Sequence, residues 1–105
     1  MMTWNEVLAA TNAKVQSGKL HGSAVIPQVT TDTRKIGAGD LFIALRGENF
    51  DGADFAADAL AKGAAAVLVS APLSVSVQKG LKNAKGAVLT VPDTLSAYQA
   101  IAHGA

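Results

Sequence analysis

The clearest structural signal lies in residues 41–69, which read LFIALRGENFDGADFAADALAKGAAAVLV. Its two ends, residues 41–45 and 64–69, are continuous apolar runs, which are typical of strands covered on both faces. Between them, a polar loop leads into an alanine-rich segment that is expected to turn Phe55 toward the core and to end at Gly63. The order strand, loop, helix, strand predicts a βαβ unit, which is right-handed when its two strands are parallel in one sheet.

Upstream of this unit, the sequence predicts one helix and two strands. Thr3-Trp4-Asn5-Glu6 fits a capping box, in which the side chains of the first and last residues bond each other's backbone N–H groups. The helix that follows is expected to end near residues 11–12. Residues 18–22, which lie between two glycines, and the β-branched residues 28–33 are each expected to form a strand.

Downstream, a regular pattern returns only at residues 87–91. This apolar run predicts a strand, whereas residues 71–86 show no clear period and are expected to be irregular. A last helix is predicted to begin after Asp93, a favourable N-cap residue. Its expected inward face consists of Leu95, Tyr98, Ile101 and Ala102. Together the elements predict an α/β domain with three layers and a mixed sheet.

Composition limits the class of protein. The chain has 105 residues, of which 50% are hydrophobic and 16% are charged, so one packed domain is expected rather than a disordered segment. A net charge of +1 argues against nucleic acid as the main partner, because phosphate binding needs a concentrated basic face. The absence of Cys excludes disulfides and thiol catalysis. The sequence has neither a leader-like start nor an apolar run of about 18 residues. We therefore expect a soluble cytoplasmic protein that does not enter membranes.

Few side chains have the spacing of a catalytic or metal site. His21 and His103 are isolated, and the sequence contains no phosphate-binding loop of the form Gly-x-x-x-x-Gly-Lys-Ser/Thr. We therefore expect no metal site and no catalytic residue in this chain. Lysines recur at every third position at Lys79, Lys82 and Lys85, which indicates a solvated face or, alternatively, a phosphate-binding patch.

Two segments have the chemistry of a site for a phosphorylated ligand. The first, residues 30–35, combines hydroxyl groups with Asp32 and Arg34 at the end of a strand, and hydroxyl and guanidinium groups bind phosphates. The second, residues 46–52, follows another strand end and precedes a helix, where α/β sheets commonly bind ligands. Alternatives stay open for both segments. Taken alone, Asp32 and Arg34 are more typical of a strand end with a turn-stabilising Asp and a surface Arg. Phe50 is typical of either a base-stacking ring or a staple against the helix.

Several blocks of the sequence, taken in order, resemble the N-terminal domain of the Mur ligases. They are TDTRKI at residues 31–36, GDLFIALRGENFDG at 39–52, DF at 54–55, GAAAVLV at 63–69 and VPDTLSA at 91–97. The blocks are most similar to the MurF branch, which adds D-alanyl-D-alanine to UDP-N-acetylmuramoyl-tripeptide with ATP and Mg²⁺. The alternatives are the MurE branch, which adds the third residue, and a non-enzymatic interaction domain that uses the alanine-rich helix as a docking face.

The resemblance implies that this domain holds the UDP end of the muramoyl substrate in a ligase of peptidoglycan synthesis. The residues that it assigns to substrate binding are Thr31, Asp32, Thr33, Arg34, Ala44, Leu45, Arg46, Gly47, Glu48, Asn49, Phe50, Asp51 and Gly52. Ala53 stands where the family commonly has His, so no polar contact is expected from that position. The family's central ATPase domain and C-terminal domain are expected to lie outside residues 1–105. ATP and Mg²⁺ would then act in the whole ligase, and this chain alone would bind neither and catalyse nothing.

Overall fold

Five strands form one mixed sheet in the computed structural model, which describes residues 2–104. In chain order the strands are β1 (Lys14–Ser17), β2 (Val29–Thr30), β3 (Leu41–Ile43), β4 (Ala66–Ser70) and β5 (Ala87–Val91). Across the sheet their order is β1-β5-β4-β3-β2, with β2 to β5 parallel to one another and β1 antiparallel to β5. The predicted mixed sheet is confirmed.

Helices cover both faces of the sheet. They are α1 (Trp4–Thr11), α2 (Ala56–Ala61), α3 (Val75–Leu81) and α4 (Thr94–Gly104). Because side chains alternate along a strand, Leu41 and Ile43 of β3 pack with α1 and α4, whereas Phe42 packs with α2 and α3. An apolar core lies on each side of the sheet, and the three-layer prediction is confirmed. Within residues 2–104, no helix is long and apolar enough to cross a membrane.

Two local predictions are confirmed, the βαβ unit and the first helix cap. Strands β3 and β4 pair in parallel, with Leu41 opposite Ala66 and both side chains fully buried. After α2, Gly63 adopts a φ of +110°, a left-handed conformation that residues with a Cβ rarely adopt. In the capping box, the backbone N–H of Thr3 donates to Glu6 Oε1 at 2.9 Å, and that of Glu6 donates to Thr3 Oγ1 at 3.2 Å.

The two strand predictions before β3 need correction. The strand predicted at residues 18–22 is wrong, because the first strand lies at Lys14–Ser17 and residues 18–22 form no regular element. All four residues of β1 are exposed, so this strand lacks the alternation of apolar and polar residues from which a strand is predicted. The strand predicted at residues 28–33 covers only Val29–Thr30, because the side chain of Asp32 caps a 3₁₀ turn directly after it.

The prediction that residues 71–86 are irregular is wrong, because they contain α3. Ser74 caps this helix, with its hydroxyl oxygen accepting the backbone N–H of Val77 at 3.1 Å. The helix is short and includes two β-branched valines and Gly80, residues with low helix propensity. The helix therefore forms because it packs against the sheet, and this packing cannot be predicted from the local sequence.

The predicted inward face of α4 is also wrong. The buried residues of this helix are Thr94, Ala97 and Ile101. Of the predicted face only Ile101 is buried, and the other three side chains are exposed. Thr94 turns inward because its hydroxyl donates to the carbonyl oxygen of Ala44 at 2.7 Å. This buried hydrogen bond joins the start of α4 to the end of β3 and fixes the rotation of the helix.

Candidate functional site

A cavity of about 540 Å³ opens at the carboxyl ends of β2 and β3. Its lining residues are Thr31, Asp32, Thr33, Arg34, Phe42, Leu45, Phe50, Gly52 and Phe55. The cavity therefore joins members of both segments that the sequence indicates, residues 30–35 and residues 46–52. The topology explains this, because parallel neighbouring strands bring their carboxyl ends to one edge of the sheet.

A 3₁₀ turn at Thr33–Lys35 forms the polar side of the cavity. The Asp32 carboxylate begins the turn by accepting the backbone N–H of Arg34 at 2.9 Å. The same carboxylate accepts hydrogen bonds from Nε of Arg34 at 3.0 Å and from Nη2 at 2.9 Å, which holds the guanidinium beside the cavity. The Arg34 side chain is nevertheless 86% exposed, so its remaining N–H groups are accessible to an anion. Asp32 thus stabilises the turn, and Arg34 still faces the space where a ligand could lie.

The ion pair sets the charge on this side of the cavity. Hydrogen bonds from the Arg34 side chain and backbone lower the pKa of Asp32 to about 2, and the carboxylate in turn raises the pKa of Arg34. Both groups are therefore charged at neutral pH, and their charges offset each other. Lys62, which pairs with Asp58 at 3.1 Å, also donates from Nζ to the carbonyl oxygen of Thr33 at 3.3 Å. This contact connects the turn to the end of α2.

The loop after β3 is a tight hairpin that forms part of the apolar side. The backbone N–H of Gly52 donates to the Leu45 carbonyl at 2.8 Å, and that of Gly47 donates to the Phe50 carbonyl at 2.9 Å. A Cβ added at Gly52 would lie 2.7 Å from the Leu45 oxygen, so this close approach requires glycine. Phe50 lies against Gly47, is 58% exposed and lines the cavity. Such exposure fits a stacking ring better than a buried staple.

Two aromatic residues of the lining were not predicted as site residues. The sequence predicts Phe55 in the core, but its side chain is 47% exposed and lines the cavity. The reason is a 3₁₀ turn at Gly52–Phe55, in which three residues per turn rotate Phe55 away from the face that an α-helix would give it. The Asp51 carboxylate caps this turn by accepting the N–H of Ala53 at 3.0 Å. Phe42 also lines the cavity, and its only signal in the sequence is that of a buried strand residue.

Some of the residues assigned by the resemblance lie outside this cavity. Ala44 is buried, and its carbonyl oxygen accepts the hydroxyl of Thr94. Arg46 and Asp51 form an ion pair at 3.3 Å and line a separate cavity of about 210 Å³. Residues 47–49 are exposed at the tip of the hairpin. The hairpin therefore contributes to the cavity through Leu45, Phe50 and Gly52.

Fold and cavity together define a class, the α/β domains that present a ligand-sized cavity at the carboxyl edge of the sheet. Comparison with known proteins narrows the class. A family profile described as "Mur ligase family, catalytic domain" matches residues 25–105. The chain belongs to the Mur ligase family.

Individual relatives agree with this assignment. UDP-N-acetylmuramoyl-tripeptide–D-alanyl-D-alanine ligase of Escherichia coli (strain K12) is 43% identical over 89 residues, which are 84% of this chain and 18% of the relative. UDP-N-acetylmuramoyl-L-alanyl-D-glutamate–2,6-diaminopimelate ligase of Chelativorans sp. (strain BNC1) is 46% identical over 52 residues, 50% of this chain and 11% of the relative. The crystal structure of MurF from Acinetobacter baumannii superposes with a TM-score of 0.77 at 26% identity, covering 97% of this chain and 20% of that one.

The chain thus has the fold of a Mur ligase N-terminal domain, as the sequence blocks predict. It spans 18% of the Escherichia coli ligase and 20% of the Acinetobacter baumannii chain. The larger part of those proteins therefore has no counterpart in these 105 residues.

Proposed function

We propose that this chain is the part of a MurF-type ligase that holds the UDP end of UDP-N-acetylmuramoyl-tripeptide while D-alanyl-D-alanine is joined to the peptide. One observation carries the proposal: a single cavity combines the guanidinium of Arg34 with the rings of Phe50 and Phe55. A nucleoside diphosphate needs both features, a cation for its phosphates and a flat apolar face for its base. The volume of about 540 Å³ lies within the usual range of small-molecule sites.

Within the cavity, we assign the diphosphate to the polar turn and the uracil to the hairpin. Asp32 engages Nε and Nη2 of Arg34, so Nη1 stays available to donate to a phosphate oxygen. Thr31 and Thr33 also line the cavity, and threonine hydroxyl groups can add neutral hydrogen bonds to a phosphate. Phe50 offers an exposed ring on which a base can stack.

Binding at the UDP end would serve a reaction that takes place elsewhere. A firm hold on a part of the substrate that does not react can position the reacting carboxylate. Within the part of the chain that the structure describes, no group of three or more His, Cys, Asp or Glu could hold a metal ion, and the sequence has no phosphate-binding loop. Both observations support placing the site for Mg²⁺ and ATP outside these residues. We assign ATP, Mg²⁺ and D-alanyl-D-alanine to other domains of a longer, cytoplasmic ligase, and expect no catalysis by this chain alone.

The relative from Chelativorans supports a second candidate, a ligase that adds diaminopimelate to a UDP-linked muramoyl dipeptide. The cavity does not separate the two candidates, because both substrates carry the same UDP group. An assay of the whole ligase does, by comparing incorporation of D-alanyl-D-alanine with that of diaminopimelate. Docking through the alanine-rich helix has little support, because Ala56 and Ala59 of α2 are fully buried against the sheet.

Titration calorimetry of the 105-residue chain tests the proposal, with UDP-N-acetylmuramoyl-tripeptide, UDP and ATP as ligands. We expect the first two to bind with one site per chain and ATP to bind much more weakly, because its purine and third phosphate do not match the cavity. A chain that is folded by circular dichroism and binds ATP as tightly as UDP contradicts the proposal, as does a folded chain that binds none of the three.

Two matched variants locate the site. Arg34→Ala should weaken UDP binding by roughly 10- to 100-fold, because hydrogen bonds to charged groups contribute about 1.5–3 kcal/mol. Lys85→Ala also removes one exposed positive charge, but from a position outside the cavity, and should leave the affinity unchanged. Equal losses in the two variants would indicate a general effect of net charge.

A further inference from the structure

Positive charge is concentrated in one part of the molecule. Five lysines lie on β1, on the end of α3 and in the turns that follow them, at Lys14, Lys19, Lys79, Lys82 and Lys85. All five are exposed. No Asp or Glu occurs between Glu6 and Asp32 or between Asp58 and Asp93, so these elements contain no carboxylate side chain. The net charge is only +1 because acidic residues elsewhere in the chain balance the positive charge of this region.

The sheet pairing brings these lysines together. Strand β1 pairs with β5, and Lys14 lies opposite Thr90 in the register. Gly18 packs directly on the backbone of Gly86 and Ala87, which brings the turn before Lys19 next to the turn that carries Lys85. Two segments that are far apart in the sequence thus form one surface.

A groove runs through this surface along β1 and β5, from the α3 side of the sheet to the end of α1. Two adjoining cavities of about 380 and 430 Å³ share Ala71, Pro72 and Thr90, and we call them together the β1 groove. Lys82 lines the first cavity and Lys14 lines the second, so a lysine stands along each half. The groove exists because α3 covers β4 and β5 but leaves β1 exposed.

The lysines of the groove have no internal counter-ion. The ion pairs within residues 2–104 are Arg34–Asp32, Arg46–Asp51 and Lys62–Asp58, and none involves a lysine of this region. Asp93 lies beyond the end of the groove that Pro92 lines, and its carboxylate already accepts hydrogen bonds from Leu95 N at 3.1 Å and Ser96 Oγ at 2.8 Å. These donors are neutral, so Asp93 stays negatively charged and places one carboxylate beside this end of the groove. Along the rest of the groove an external anion would meet lysines without a counter-ion.

We propose that the β1 groove binds an extended acidic segment of a partner protein. Lysines on separate elements can pair with carboxylates spaced along such a segment, and charge complementarity of this kind speeds and orients association. Gln16 and Gln78 also line the groove, and their amide groups can hydrogen-bond a peptide backbone. No aromatic ring lines either cavity, which disfavours single-stranded nucleic acid, because its bases stack on such rings. The concave form disfavours a flat lipid surface.

This inference goes beyond the proposed function and does not depend on it. The β1 groove and the cavity at β2 and β3 share no lining residue. Acidic-peptide binding can therefore fail while UDP binding succeeds, and the reverse.

Fluorescence anisotropy with a labelled hexaglutamate peptide tests the proposal at low ionic strength, where exposed charges are least screened. The double variant Lys14→Gln/Lys82→Gln should bind the peptide about tenfold more weakly than the unchanged chain, since each exposed ion pair contributes a factor of up to about five. The control is Lys35→Gln/Lys85→Gln, which removes the same charge from two exposed lysines that line neither cavity of the groove and form none of the ion pairs described above. This control should bind the peptide like the unchanged chain.

Three outcomes would overturn the proposal. In the first outcome, the folded chain does not bind the peptide. In the second, the two double variants lose the same amount of affinity, and this equality would mean that only the net charge of the protein matters. In the third outcome, the chain binds vesicles rich in anionic phosphatidylglycerol, or a labelled oligothymidine, more tightly than it binds the peptide. Lys14→Gln/Lys82→Gln also weakens that binding. That result would assign the groove to another class of partner.

Discussion

Replacing Gly52 with alanine tests whether the hairpin after β3 shapes both the fold and the cavity. The added Cβ would lie 2.7 Å from the carbonyl oxygen and 2.9 Å from the amide nitrogen of Leu45. Both are backbone atoms, so the hairpin has to open, and the 2.8 Å hydrogen bond from Gly52 N to Leu45 O is lost. A lost hydrogen bond costs about 1 kcal/mol and overpacking costs about 1–3 kcal/mol, so the free energy of unfolding should fall by about 2–4 kcal/mol.

Urea unfolding followed by circular dichroism measures this loss, and Gly80→Ala provides the matched control. Gly80 lies at an exposed position in α3, where an added Cβ would be 3.6 Å from Ala57 Cβ, an ordinary contact. Alanine is favoured over glycine inside a helix by up to about 1 kcal/mol, so this variant should be slightly more stable than the unchanged chain. The same change, glycine to alanine, is thus expected to lower the free energy of unfolding at position 52 and to raise it slightly at position 80.

The reasoning is refuted if Gly52→Ala unfolds at the same urea concentration as the unchanged chain and binds UDP equally well. Reduced stability with unchanged UDP affinity at low temperature would mean that the hairpin supports the fold but does not shape the cavity. The expected result is a loss of both.

Two further changes test single interactions. Thr94→Val removes the buried 2.7 Å hydrogen bond to the Ala44 carbonyl, so urea unfolding should show a loss of about 1–3 kcal/mol, most of which Thr94→Ser should restore. The carboxyl of Asp32 should titrate by NMR with a pKa of about 2, and Arg34→Ala should raise this pKa toward the ordinary value of 3.8. Because the pKa of Asp32 is lower in the folded chain than in the unfolded chain, Asp32 contributes stability above about pH 4 that is lost as the pH falls toward 2. Asp32→Asn should therefore make the decline of stability across this range shallower, and an unchanged slope would contradict the ion pair.

Predictions from the sequence succeeded where the cause is local. The capping box of Thr3 and Glu6 lies within one turn of helix, and the βαβ unit at residues 41–69 combines two apolar runs with a glycine that ends the helix between them. They failed where packing overrides propensity. Helix α3 contains poor helix formers, and β1 has no apolar alternation, so neither has a local signal.

The candidate site shows the same division. The chemistry of residues 30–35 and 46–52 is visible in the sequence, and so is their position after strands. The contribution of Phe55 is not visible, because a 3₁₀ turn and an α-helix begin with the same residues but rotate the side chain differently. The sequence also does not reveal that Asp32 engages two nitrogens of Arg34, because this ion pair depends on the conformation of the turn.

The sequence by itself determined the α/β class, the family and the two segments from which the cavity is built, because each depends on residues that are close together along the chain. Only the tertiary structure decided which side chains share a surface. Parallel pairing of β2 with β3 joins the two segments into one cavity, and antiparallel pairing of β1 with β5 gathers lysines from distant segments beside one groove. The physical reason is that pairing across a sheet brings together residues that are far apart in the sequence, and what stabilises a strand depends on the neighbours that the tertiary structure gives it.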